Sequence, residues 1–226
     1  MSKGLLIEDI SLHDRIRVFK DRKQAGIYLA EKLLAYRGTD SIILSIPSGG
    51  VPVAREVAVL LHLPMDLIIV RKIQIPFNPE AGFGAMGPSG EIVFNDSLLK
   101  HLNLSKEEIE RQTKKTADML KKRENLFRSG QRFPSLKGKN VILIDDGLAS
   151  GYTMYAAVRF IRKMNPLEKI IAVPTGSQKT VEFLLPQVDK IVCLNVRSGF
   201  PFAVAEAYED WYDLSDEEVL AILGQG

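Results

Sequence analysis

Residues 141–153 read V-I-L-I-D-D-G-L-A-S-G-Y-T. The run Val141 to Ile144 is apolar and rich in β-branched residues, which suits a buried parallel strand; the chain then changes to two acids and a small-residue loop. Beyond Thr153 the apolar positions Met154, Ala157, Val158, Ile161 and Met164 recur at helical spacing. The loop therefore joins the carboxyl end of a strand to the amino end of a helix. The free N–H groups of the first helical turn and the helix dipole make such a junction an anion site that needs no lysine. Gly147 and Gly151 permit a tight turn and close approach of an anion, and the Ser150 and Thr153 hydroxyls can donate to it. Gly147, Leu148, Ala149, Ser150, Gly151 and Thr153 are thus the candidate 5-phosphate loop. Asp145 and Asp146 accept hydrogen bonds only, so beside an anion they must face hydroxyl donors or a metal. A sugar phosphate with a vicinal diol supplies those hydroxyls, and the stretch reads as a ribose 5-phosphate cradle. The plainer alternative, a capped turn with solvated acids, gives no reason for both acids.

Length and composition set the frame for this motif. At 226 residues the chain can bury one large α/β core, and a single domain over 1–226 is expected. The 30 basic and 28 acidic residues leave a net charge of +2, too even for an electrostatic nucleic-acid binder. Cys193 lies in the apolar run Ile191 to Leu194 and reads as a buried reduced thiol, without a disulfide framework. No stretch approaches membrane-spanning length, and the expected location is the cytoplasm.

In chain order, Asp21 opens a helix to about Tyr36, with Gln24 completing a weak capping box. The run Ser41 to Ile46 reads as a strand, followed by Pro47-Ser48-Gly49-Gly50 and a helix from about Pro52. This second strand-loop-helix junction suits either pyrophosphate, through Ser48, Gly49 and Gly50, or a tight turn; the downstream motif favours pyrophosphate. A strand from Met65 to Val70 ends on Arg71-Lys72, where two cations would face the crevice beyond the strand ends or form a surface pair. Residues 82–87 satisfy G-x-G-x-x-G, but prolines precede them and a turn follows, so a dinucleotide fingerprint is rejected. Residues 73–96 instead suggest a flap hairpin, either closing over the site or packed statically.

A charged helix from Ser105 to about Phe127 interleaves lysines with acids, a solvated face rather than a nucleic-acid surface. It leaves a helix contact between copies, and hence a homo-oligomer, open. Strands are expected over Lys169 to Val173 and Ile191 to Val196, with Pro174 to Ser177 as a loop. The repeated βα units imply an α/β fold with a doubly wound, mostly parallel sheet. The tail from about 197 to 226 is a small hood, in which Phe200, Phe202 and Trp211 could stack on a flat heterocycle or pack a lid. Ser215 and Glu218 cap a last helix.

The 141–153 pattern resembles the phosphoribosyl diphosphate (PRPP) signature of the type I phosphoribosyltransferases. The Arg71-Lys72 pair, the glycine-rich flap and the acidic tail are similar to uncharacterised members of that family in bacteria and archaea. The resemblance implies transfer of the 5-phosphoribosyl group from PRPP to a nitrogen nucleophile of nucleobase type, with loss of pyrophosphate. It implies Mg2+ carried by the donor, with no metal bonded directly to Asp145 or Asp146, and catalytic roles for Asp145, Asp146, Arg71 and Lys72. Close relatives often carry a basic residue where this chain has Ser48. A non-catalytic PRPP or nucleotide sensor of the same fold is the alternative.

Overall fold

The computed structural model describes residues 4–128 and 130–224, so the outermost residues of the expected 1–226 domain and 197–226 hood lie outside it. The apolar run of the central motif forms β7 (Asn140–Ile144), flanked by β2 (Ser41–Ser45) and β8 (Glu168–Ser177). With β9 (Lys190–Arg197), β1 (Leu5–Glu8) and β3 (Met65–Leu67) these make a sheet of order β1-β9-β8-β7-β2-β3, parallel at every pairing.

Alternation along the strands sends successive side chains to opposite faces. Ile42, Leu44, Val141, Leu143, Ile171 and Val173 share one core with Met154, Val158 and Ile161 of α5 (Tyr152–Arg162). Ile43, Ile142, Ile144, Ile170 and Ala172 share the other with Leu29 of α1 (Arg22–Lys32) and Val53 and Val57 of α2 (Gly50–Leu61). Burial of each large aliphatic contributes roughly 1.5–3 kcal/mol, which fixes the strand register from both sides. Helices on both faces give the doubly wound arrangement expected.

Four local features add to or alter the expectation. Leu5–Glu8 forms the edge strand β1 on β9, a strand too short and too exposed to stand out in sequence. The strand from Met65 stops at Leu67; Ile68, Ile69 and Val70 stay buried while the chain leaves the sheet, so Arg71 and Lys72 begin a new strand instead of ending this one. Pro174 to Ser177 continue β8 rather than forming a loop. Pairing with β7 ends at Ala172, and beyond it Thr175, Gly176 and Ser177 pair with β9 while Leu148 bridges to Gly176. Finally, the flap is a three-stranded antiparallel sheet, β4 (Arg71–Ile75), β5 (Asn78–Met86) and β6 (Ile92–Phe94), with Ile73, Phe83 and Ala85 fully buried. The G-x-G-x-x-G run lies in β5 up to Met86 and opens no helix; a Cβ at Gly84 would lie 2.6 Å from the Val93 carbonyl oxygen.

The helices α3 (Asp96–Leu102), absent from the sequence expectation, and α4 (Lys106–Arg128) follow the flap, and α6 (Gln178–Leu184) follows β8. The Ser105–Glu108 box caps α4, and Ser215–Glu218 caps α7 (Asp216–Ile222). Leu120 and Phe127 of α4 meet Val51 of α2 and Val219 of α7 in a third core, which brings α4 and α7 beside the loop after β2. No helix among the described residues is long and apolar enough to cross a membrane.

Candidate active site

The chain runs from β2 through α2 outward to β3, and from β7 through α5 the other way to β8. The strand order reverses between β2 and β7, where a crevice opens beyond the carboxyl ends of an α/β sheet. Ser45 pairs with Ile144, so the two expected anion loops, 47–50 and 145–153, leave the sheet side by side and at one level. They touch: a Cβ on Gly49 would fall 1.9 Å from Asp146 Oδ2, and one on Gly50 would fall 2.9 Å from Asp145 Cα. Glycine at both positions lets the Ser48-Gly49-Gly50 backbone lie against the acids.

Asp145 and Asp146 are held in different ways. The Asp146 amide donates to Asp145 Oδ1 at 2.9 Å, and Arg22 Nε donates to Asp146 Oδ2 at 2.9 Å. Arg22 is itself buried, stacks its guanidinium on Trp211 at 3.9 Å and donates through Nη1 to the Tyr212 carbonyl at 2.9 Å. The buried Tyr208 hydroxyl donates to the Asp146 carbonyl oxygen at 2.6 Å. Burial pushes both carboxyls above the ordinary range; the Asp146 charge adds to this at Asp145, whereas Arg22 pulls Asp146 back down. The pair therefore favours a ligand that donates hydrogen bonds to it.

Helix caps distinguish the two crevice helices from the others. Side chains of Asp21, Asn95, Ser105, Ser177 and Ser215 accept from backbone amides at the amino ends of α1, α3, α4, α6 and α7. The helices α2 and α5 begin on Gly49 and Gly151, with no side-chain cap on either. Tyr155 N donates to Gly151 O at 2.8 Å, so the amides of Tyr152, Thr153 and Met154 precede the first bond inside α5. Gly151 has a φ of 76° and lies against Thr180, where a side chain would clash. The loop is tied to β8 by Leu148, whose N–H donates to Thr175 O at 2.9 Å, while Ala149 and Ser150 are exposed at its tip.

The expected cations and aromatics are more dispersed. Arg71 and Lys72 open β4, opposite Met86 and Ala85, and Gly82 lets the Lys72 stem cross the sheet. Phe202 lies under the Arg197 guanidinium at 5.3 Å, and Phe200 is 97% exposed. Both line a cleft of about 890 Å³ with Ala149, Ser150, Tyr152 and Lys179. Trp211 sits apart from them, packed on Arg22 and Tyr208 behind the acids. Sequence reasoning missed Arg22; a buried arginine at the start of a helix leaves no local signal, because its partner Asp146 lies 124 positions away. Among the described residues no group of three or more His, Cys, Asp or Glu side chains could hold a metal.

Comparison with known proteins places these features in a family context. Residues 17–209 match the model of the phosphoribosyl transferase domain. Two proteins of Mycobacterium tuberculosis that bear phosphoribosyl transferase names, from strains CDC 1551 / Oshkosh and ATCC 25618 / H37Rv, are each 36% identical over 208 residues. The match takes in 92% of this chain and 47% of theirs, so the chain spans about half the length of these curated relatives. The crystal structure of TT1426 from Thermus thermophilus superposes with a TM-score of 0.74 at 37% identity, covering 92% of this chain and 98% of that one.

Proposed function

Since the chain belongs to the phosphoribosyl transferase domain family, we propose that it transfers the 5-phosphoribosyl group of PRPP to a nitrogen nucleophile of nucleobase type. The observation that carries this is the pair of uncapped helix amino termini, α2 and α5, side by side at the switch point with two half-buried acids between them. A donor with an anion at each end and a diol in the middle fits that arrangement.

In this reading the α5 amides and the Ser150 and Thr153 hydroxyls hold the 5-phosphate, and Asp145 and Asp146 accept from the ribose diol. The Gly49-Gly50 backbone, Arg71 and Lys72 receive the diphosphate. The bond from C1 to the diphosphate oxygen breaks, the bond from C1 to nitrogen forms, and the nitrogen gives up a proton. The two carboxylates favour positive charge on the ribose as the leaving group departs, while cations and amides favour the charge that collects on pyrophosphate. Mg2+ bound to the donor would neutralise part of the diphosphate charge. Asp145 and Asp146 are already engaged by the Asp146 amide and by Arg22, which suits diol acceptors better than primary metal ligands. Phe200 and Phe202, at the mouth of the cleft beside the phosphate loop, are the proposed contacts of the acceptor ring.

The test is pyrophosphate release from PRPP in magnesium buffer, with and without a pool of purines, pyrimidines and related heterocycles. Release that depends on the pool is expected, and splitting the pool then identifies the acceptor. Binding of PRPP with no release under any acceptor would replace transfer by a sensing role.

A further inference from the structure

The loop read as the pyrophosphate site, Pro47-Ser48-Gly49-Gly50, carries no charged side chain of its own. The structure brings a cation to it from elsewhere. Arg123, in the fifth turn of α4, donates through Nη2 to Ser48 Oγ at 2.8 Å and to Asp216 Oδ1 at 2.8 Å. Its guanidinium lies over the Phe127 ring at 4.9 Å, and its Nε is buried with no hydrogen-bond partner. Asp216 is the first residue of α7, so the arginine is gripped between two helices and directed at the loop.

Arg71 joins the same cluster. Burial lowers its pKa first, the neighbouring Arg123 lowers it further, and Asp216 opposes them. Arginine nonetheless stays charged in proteins, so two guanidiniums share the one carboxylate acting on both. The cluster holds an excess positive charge against a loop whose helix also lacks a side-chain cap. An anion with several oxygens is what such a cluster recruits.

We propose that Arg123 is a pyrophosphate-binding residue that supplies, from α4, the charge absent at Ser48, and that Asp216 positions it. This rests on the reading of the crevice as a PRPP site. Nothing in the α4 sequence distinguishes Arg123 from the lysines and arginines of its solvated face, and only the packing of Leu120 and Phe127 turns it inward.

The test uses inorganic pyrophosphate and ribose 5-phosphate as separate probes, titrated calorimetrically in magnesium buffer. Arg123→Gln should weaken pyrophosphate binding at least tenfold and leave ribose 5-phosphate within about twofold of the parent, and Arg123→Lys should recover most of the loss. The salt dependence of pyrophosphate affinity should become shallower in Arg123→Gln and persist in Arg123→Lys. Where Arg123→Gln fails to fold, Arg123→Met keeps the stem against Phe127 and carries the same expectation. Unchanged pyrophosphate affinity would overturn the proposal, as would an equal loss of both probes, which would mean that Arg123 only props the loop. A parent protein that binds ribose 5-phosphate but not pyrophosphate also overturns it. A parent that binds neither would instead refute the PRPP reading itself.

Discussion

At the scale of single residues, Asp145 shows how a partly enclosed carboxylate weighs against the free fold. Burial, then the Asp146 charge, raises its folded pKa above the unfolded value of about 3.9. A group with a raised folded pKa opposes folding while it is ionised. The free protein should therefore gain stability as pH falls from neutral through that raised pKa, until the pH nears the unfolded value. At lower pH the opposite sign takes over at groups such as Asp14, held low by the Ser198 amide, whose contribution is lost as it protonates. Asp145→Asn keeps the oxygen that accepts the Asp146 amide but removes the charge. Its melting temperature should exceed the parent's at pH 8 and converge with it near pH 4, while the transition state loses about 1.5–3 kcal/mol. Equal melting curves at both pH values, or unchanged turnover, would contradict this role. Arg22→Met should cost about 3–5 kcal/mol by leaving Asp146 buried without its counter-charge, and adding Asp146→Asn should recover much of it in a double-mutant cycle of denaturant midpoints. The placement of the two acids was legible because it is local, a strand end followed by small residues. Arg22 was not, because its meaning lies in a partner that only the fold brings near.

At the scale of elements, the crevice depends on two loops that must lie in contact. Gly49→Ala would place a methyl group 1.9 Å from Asp146 Oδ2, so the loop or the acid must shift. Since Gly49 has ordinary helical dihedrals, φ −60° and ψ −33°, the clash alone is at issue. Overpacking of this kind costs about 1–3 kcal/mol, and PRPP affinity should fall by about tenfold or more. An unaltered affinity would mean that the two loops are not one site. The helix α7 gives a second handle. Ser215→Ala removes one half of a complete capping box and should cost about 1 kcal/mol, read as a lower melting temperature. Helix starts were legible at this scale, since Asp21, Ser105 and Ser215 announce themselves by residue type. Strand ends were less so: whether Val70 or Ser177 belongs to a strand depends on whether a neighbour is there to pair with it, and β7 stops before β8 does. The flap was read as a hairpin, and the third strand that joins it, anchored by Phe83 and Ile73, again depends on which segments pair.

For the molecule as a whole, strand alternation and the repeated βα units were enough to foresee a doubly wound sheet, because every buried strand residue must choose one of two helical layers. The reversal of strand order between β2 and β7 was out of reach of local pattern, yet it sets the two anion loops together. The hood divides along the same line. Its last helix was legible, whereas the separation of Trp211 from Phe200 and Phe202 follows from how the tail folds back to the start of α1, where Trp211 packs on Arg22 and, just ahead of the helix, Phe19 bridges to Tyr208. The claim on which the functional account turns is that the crevice holds PRPP through both loops and both acids at once. Calorimetric titration of PRPP in magnesium buffer, into the parent and into the Asp145→Asn/Asp146→Asn double variant, tests it most directly. The account predicts one site per chain in the parent, and affinity at least tenfold weaker in the folded double variant. No binding to the parent, or equal binding to both, would contradict it.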